Sequence, residues 1–224
     1  MRAAVTAVAT AALGAAVLWW GTDGGRAFTS EAARRLDIAT TPRQLPDTAL
    51  TDRTGASFRL SDYRGAPAVL EFIYATCPDI CLVLGSTFER LATTLPPNTA
   101  LLSISFDPAD DTERLGWFAD RYGATPPRWR VAGVAGDAER EALLATAEVV
   151  VIPDGMGGYA HNAGLYLLDA DGRLTAVFNP EDGEPNFDSS RLIFPDFVWR
   201  RSTKQGVLYR EAVDFVGSLL WHVV

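Results

Sequence analysis

Val69–Leu95 reads VLEFIYATCPDICLVLGSTFERLATTL, and the rest of the chain is organised around this stretch. It opens with an apolar run from Val69 to Tyr74, rich in branched and aromatic residues, as expected of a strand buried on both faces. The chain turns through Ala75 and Thr76. It then continues with helical spacing of Ile80, Val83, Leu84, Phe88, Leu91 and Leu95. Pro78 suits a first helical position, because its missing N–H would have no partner there and its φ is already set. Cys77 and Cys81, the two cysteines of the chain, therefore fall at a strand-to-helix junction, at the positive end of a helix. A thiol placed there shifts toward thiolate, the form that attacks disulfides and binds metals.

The spacing is Cys-x3-Cys, not the Cys-x2-Cys of thioredoxin-type redox sites. Residues four apart on a helix share a face, with Cβ atoms about 5–6 Å apart. A disulfide wants roughly 3.5–4.5 Å, so bridging needs local give, whereas two thiolates on one metal tolerate the wider gap. The spacing permits a disulfide and leans toward a metal. The bland alternative is a pair of buried structural cysteines.

The chain has 224 residues, 48% of them hydrophobic, which is enough for a sizeable core. A net charge of −8 argues against nucleic acid, which needs a basic face. Arg200 and Arg201, beside Trp199 and Lys204, read as a solvated turn. Ala3 to Trp20 is uncharged and mostly apolar, preceded by Arg2 and closed by Trp19 and Trp20. About 20 such residues span a bilayer, and Trp favours its interface. An uncleaved N-terminal anchor is the favoured reading. A cleaved signal is the alternative, for which Gly25-Arg26-Ala27 is a poor match. Either way the remainder is exported, into a compartment that oxidises thiols.

Domain organisation follows: residues 1–22 as anchor or signal, 23–44 as a stalk with a short helical patch at Ser30–Leu36, and 45–224 as one domain. Within it, Thr48–Thr51 and Ser57–Leu60 flank a Gly55 turn as an N-terminal hairpin. After the cysteine helix, Ala100–Phe106 is a second buried strand. Asp107–Glu113 offers an Asp N-cap and an acidic first turn for a helix to Tyr122, ended by Gly123. Arg128–Val131 reads as a short strand, and Asp137 as the cap of a helix to Ala147. Val149–Ile152 reads as a strand or bulged edge, and Pro153–Gly158 as a loop. Tyr159–Leu168 and Arg173–Phe178 then form a hairpin about Asp169–Gly172. The order βαβαββα predicts a thioredoxin-like α/β sandwich, a central mixed sheet flanked by helices. A polar loop from Asn179 to Ser190 leads to apolar residues at helical spacing, Val207 to Leu220, read as a terminal helix docked on the sheet.

Two histidines exist. His222 lies near the C-terminus and is read as inert. His161 follows the glycine-rich loop. In a thioredoxin-like sheet the chain entering that hairpin passes beside the cysteine helix, so His161 is expected to approach Cys77 and Cys81.

Thr76–Cys81, Phe72–Tyr74, Ser103–Pro108 with Asp111 and Thr112, and His161 ahead of Tyr166-Leu-Leu-Asp169 together resemble the Sco/SenC copper chaperones of cytochrome c oxidase assembly. The resemblance covers roughly 45–177. It implies that Cys77, Cys81 and His161 bind one copper ion. The partners it implies are the copper-bearing oxidase subunit and other copper chaperones. It also implies an anchored, monomeric protein in the inner membrane whose domain faces the periplasm. The chemistry agrees: two soft thiolates and an imidazole suit Cu(I), and Cu(II) with an added oxygen ligand. Structural zinc would want four closed ligands. Met156 is a weak candidate for an auxiliary ligand, and Asp79 reads as a surface residue.

Two departures stand out. Leu82 replaces the family's usual Pro, and Ala160-His161-Asn162 replaces Asp-His-Ser. Outer partners orient ligands and tune affinity, so copper affinity, redox tuning or partner choice is expected to differ. Two other readings remain open. In one, Cys77 and Cys81 form the redox pair of a thiol–disulfide oxidoreductase without copper. In the other, the domain is structural.

Overall fold

The computed structural model describes residues 2–77 and 80–178, without the side chains of residues 80–83. Pro78, Asp79, the Leu82 side chain, Arg200, Arg201, His222 and the helix expected over Val207–Leu220 therefore lie outside the described residues. The chain divides into two compact units with a boundary at Asp37 and Ile38. The N-terminal unit holds α1 (Arg2–Gly21), which buries no side chain, and most of α2 (Ser30–Thr40). α2 runs four residues beyond the helical patch expected from sequence.

The second unit holds an eight-stranded sheet in the order β1-β10-β9-β4-β5-β6-β2-β3. Its strands are β1 (Arg43–Gln44), β2 (Ala49–Asp52), β3 (Ser57–Arg59), β4 (Ala68–Ile73), β5 (Ala100–Ser105), β6 (Trp129–Val134), β9 (Leu165–Leu168) and β10 (Arg173–Phe178). β4, β5 and β6 run parallel, and β9 lies antiparallel on the other side of β4. All six residues of β4 are buried, as a doubly covered strand requires. This is the expected thioredoxin-like architecture. The N-terminal hairpin extends the β6 edge through β2, and β1 covers the β10 edge.

α3 (Ile80–Thr94) crosses from β4 to β5, and α4 (Thr112–Tyr122) from β5 to β6. Both lie on one face of the sheet. Phe88 of α3 packs on Trp129 with ring centroids 5.6 Å apart, and the two helices meet at Gly85, whose position leaves no room for a side chain against the Tyr122 ring. Arg128 closes the far end of α3, donating to the Ala92 carbonyl at 3.4 Å, one that a helix end otherwise leaves without a partner, and to the carbonyls of Leu95 at 2.8 Å and Thr99 at 2.6 Å just beyond it. Asp111 caps α4, accepting the Arg114 N–H at 2.9 Å, and Gly123 ends it in the left-handed region at φ 70°. α5 (Asp137–Ala147) begins after Gly136, so Asp137 is its first residue and not its cap.

The largest difference from the sequence reading lies after α5. Tyr159–Leu168 is not one strand. Its first part, β8 (Tyr159–His161), pairs with β7 (Val151–Pro153) in a separate two-stranded sheet, and only β9 joins the main sheet. The break is local. Ala163 donates its N–H to the His161 carbonyl at 3.1 Å, and Gly164 packs so close to Val177 that a Cβ would lie 2.9 Å from it. Pro153 ends β7 and does not belong to the loop that follows.

Candidate metal centre

Two segments build the centre. One is the turn from Tyr74 to Cys77 between β4 and α3, and the other is the β7–β8 hairpin. Cys77 is buried, and its amide N–H donates to the Tyr74 carbonyl at 3.1 Å. Cys81 lies in the first turn of α3, and its side chain falls outside the described atoms.

Tyr74 joins the two segments. Its ring lies 5.3 Å from that of Tyr159 and its hydroxyl donates to the Tyr159 carbonyl at 3.4 Å. The His161 imidazole stands 6.3 Å from the Tyr74 ring and 5.1 Å from Phe106. So the turn that delivers Cys77 and the strand that carries His161 share one aromatic cluster.

Burial in this cluster pushes the His161 pKa down to about 4, so the imidazole is neutral near pH 7. Both ring nitrogens are buried without a hydrogen-bond partner. Buried polar atoms in native proteins nearly always have partners. A neutral imidazole with uncommitted nitrogens is the form that donates to a metal. Among the described residues no three His, Cys, Asp or Glu side chains converge as a cage. Cys77 and a desolvated imidazole are a soft donor set that fits a copper ion in preference to a hard cation.

The strand that holds His161 is clamped by its neighbour. Asn162 accepts the Val150 N–H at 2.6 Å through Oδ1 and donates to the Glu148 carbonyl at 2.9 Å through Nδ2. The missing acid position, Ala160, is exposed and pairs with Ile152. Sequence reasoning did not anticipate this clamp, although an amide side chain at a strand end is its usual signal. Met156 sits 90% exposed in the hairpin loop, which Asp154 closes by accepting the N–H groups of Met156 and Gly158.

Three acids of the sheet and its turns take different roles. Asp107 accepts the Tyr159 hydroxyl at 3.2 Å. Asp110, read from sequence as part of an acidic first turn, instead points inward. Its Oδ2 accepts the Ala75 N–H at 2.7 Å and the Ser105 hydroxyl at 2.5 Å. Glu71 lies wholly buried in β4, where Ser103 donates to Oε1 at 2.5 Å and Trp129 donates to Ser103 at 2.8 Å. Oε2 has no partner, and burial raises its pKa to about 8. A cavity of about 310 Å³, lined by Ala75, Thr76, Arg114 and Trp117, opens beside the turn that leads into Cys77.

The fold and centre thus define a thioredoxin-like domain with a thiol at a strand-to-helix junction and an imidazole brought to the same cluster. The SCO1/SenC family model matches residues 40–189, more than half of the chain, and the chain belongs to that family. Among solved structures it is similar to Bradyrhizobium japonicum ScoI with copper bound, at 25% identity and a TM-score of 0.54, covering 66% of this chain and 97% of that one. A SCO1/SenC family lipoprotein from Bacillus anthracis gives 20% identity and a TM-score of 0.57, covering 67% and 92%. BsSco, a Sco-family oxidase assembly protein with a disulfide switch, gives 21% and 0.54, covering 65% and 88%. No curated protein sequence matches the chain.

Proposed function

We propose that this protein binds copper through Cys77, Cys81 and His161 and hands it to the copper-bearing subunit of cytochrome c oxidase during assembly. The observation that carries the reading is the His161 imidazole, neutral and buried, with both nitrogens uncommitted beside the turn of Cys77. Family membership and a copper-loaded relative at 25% identity support the choice of metal. BsSco supports the oxidase as destination. Other copper chaperones are the expected donors, and the protein acts as a monomer.

The localisation proposed is the inner membrane, with residues 1–22 as a single anchor, 23–44 as a connecting segment whose last two residues join the sheet as β1, and 45–224 facing the periplasm. α1 is 20 residues of apolar helix. At 1.5 Å per residue that is about 30 Å, the thickness of a bilayer core.

A second reading is favoured by the placement of Cys77 ahead of α3 and by the disulfide switch of BsSco. In it, the Cys77 thiolate attacks a partner disulfide, and Cys81 resolves the mixed disulfide. The partner gains two thiols as the pair becomes a disulfide. Metal analysis after anaerobic loading with Cu(I) separates the two. Copper retained by the purified full chain and lost in Cys77→Ala and Cys81→Ala supports the copper site. Near-wild-type copper in either variant sinks it.

A further inference from the structure

Asp110 departs from what its sequence neighbourhood asks of it. Asp111 already caps α4, and Asp107 closes its own turn by accepting the Ala109 N–H at 2.9 Å. Asp110 does neither. Its side chain has no exposed surface and reaches from the β5–α4 turn to the β4–α3 turn. Oδ2 takes two donors, the Ala75 N–H and the Ser105 hydroxyl. Oδ1 has none, and Arg114 Nη1 is 4.0 Å away. A buried carboxyl is costly unless it is hydrogen-bonded. Burial raises the Asp110 pKa, against the pull of the Ser105 and Ala75 hydrogen bonds.

The peptide group between Tyr74 and Ala75 is what this acid holds. That group is planar, so its N–H and C=O turn together. The N–H, belonging to Ala75, is held by Asp110. The C=O, belonging to Tyr74, accepts the Cys77 N–H at 3.1 Å. One peptide plane therefore couples the Asp110 carboxyl to the Cys77 backbone. The Tyr74 ring on the same residue packs against His161.

We propose that Asp110 is a positioning residue for the copper site: by holding the Tyr74–Ala75 peptide plane it places Cys77 relative to His161. This rests on the copper reading above, and its test separates the two.

The full chain is purified in detergent as wild type, Asp110→Leu, Asp110→Asn and Ser105→Ala. Cu(I) affinity is measured by competition with a chromogenic chelator, and folding by thermal melting. Asp110→Leu, folded, is expected to bind Cu(I) about 10–100-fold more weakly, the scale typical of residues that orient ligands. Its Cu(II)–thiolate absorption band should shift. Asp110→Asn keeps an oxygen acceptor for the Ala75 N–H and should restore affinity and spectrum. If Asp110→Leu does not fold, Ser105→Ala decides: weaker copper binding supports the role, and unchanged binding overturns it.

A copper-free readout runs alongside. In a Cys81→Ser background, alkylation of Cys77 by iodoacetamide should accelerate when Asp110→Leu frees the turn. Faster alkylation in a chain that takes up no copper would keep the positioning role and reject the copper reading. Unchanged affinity and unchanged alkylation in a copper-binding chain would overturn the positioning role alone.

Discussion

His161 and Phe106 stand edge to face, with ring centroids 5.1 Å apart and planes at 67°. Phe106 follows β5, and its N–H donates to the Ile73 carbonyl at the end of β4, so the imidazole is referenced to the strand pair that leads into the thiol turn. His161→Ala removes the nitrogen donor and leaves the thiols in place. Copper affinity should fall by at least the ~10–100-fold seen for outer-partner changes, and any Cu(II)–thiolate band should vanish or change strongly. Exchange with a small disulfide should persist. If His161→Ala slows exchange and leaves copper binding untouched, the reductase reading replaces the chaperone.

Glu71 predicts a pH dependence of stability. Its pKa is raised from 4.5 to about 8 by burial, so the folded state holds a proton that the unfolded chain releases. Sign follows: the stabilisation is fully present below about pH 4.5, declines as pH rises, and is gone above about pH 8. Glu71→Gln cannot ionise, so its stability relative to wild type should improve across that window by roughly 3–5 kcal/mol. Denaturant unfolding at pH 5, 6.5 and 8 measures it. Parallel pH trends in the two proteins would show that Glu71 does not titrate there.

Gly85 and Gly116 make opposite predictions on neighbouring helices. A Cβ at Gly85 would sit 2.7 Å from three atoms of the Tyr122 ring, whereas Gly116 has nothing within 4 Å. Gly85→Ala should cost about 1–3 kcal/mol through forced separation of α3 and α4. Gly116→Ala in a helix interior should be neutral or stabilise by up to ~1 kcal/mol. Thermal melts of both variants check the contrast. A harmless Gly85→Ala would mean that the two helices slide apart freely.

The N-terminal helix carries a prediction about fractionation. The full chain should pellet with membranes, and deletion of residues 1–25 should yield a soluble folded domain. A mature protein beginning near Phe28 in the soluble fraction would instead identify residues 1–27 as a cleaved signal.

The central fold was legible because β4, α3 and β5 follow their periodicities closely, and because Asp111 and Gly123 mark the ends of α4 with ordinary caps. The His161 neighbourhood was legible only through the resemblance and the expected course of the hairpin. The break between β8 and β9 falls at Asn162-Ala163-Gly164, across which the sequence reading carried a single strand. One acid was misread for a related reason. Asp110 sits in an acidic turn, and its three-dimensional pairing with the Ala75 N–H decides that it faces inward. Pairings made across more than about 30 residues leave no trace in local sequence.

The most direct test of the central claim is the copper X-ray absorption spectrum of the reduced, copper-loaded full chain. The account predicts two sulfur scatterers and one imidazole nitrogen, with the nitrogen lost in His161→Ala. A shell of oxygen, or a sulfur-only shell that His161→Ala leaves unchanged, would contradict it.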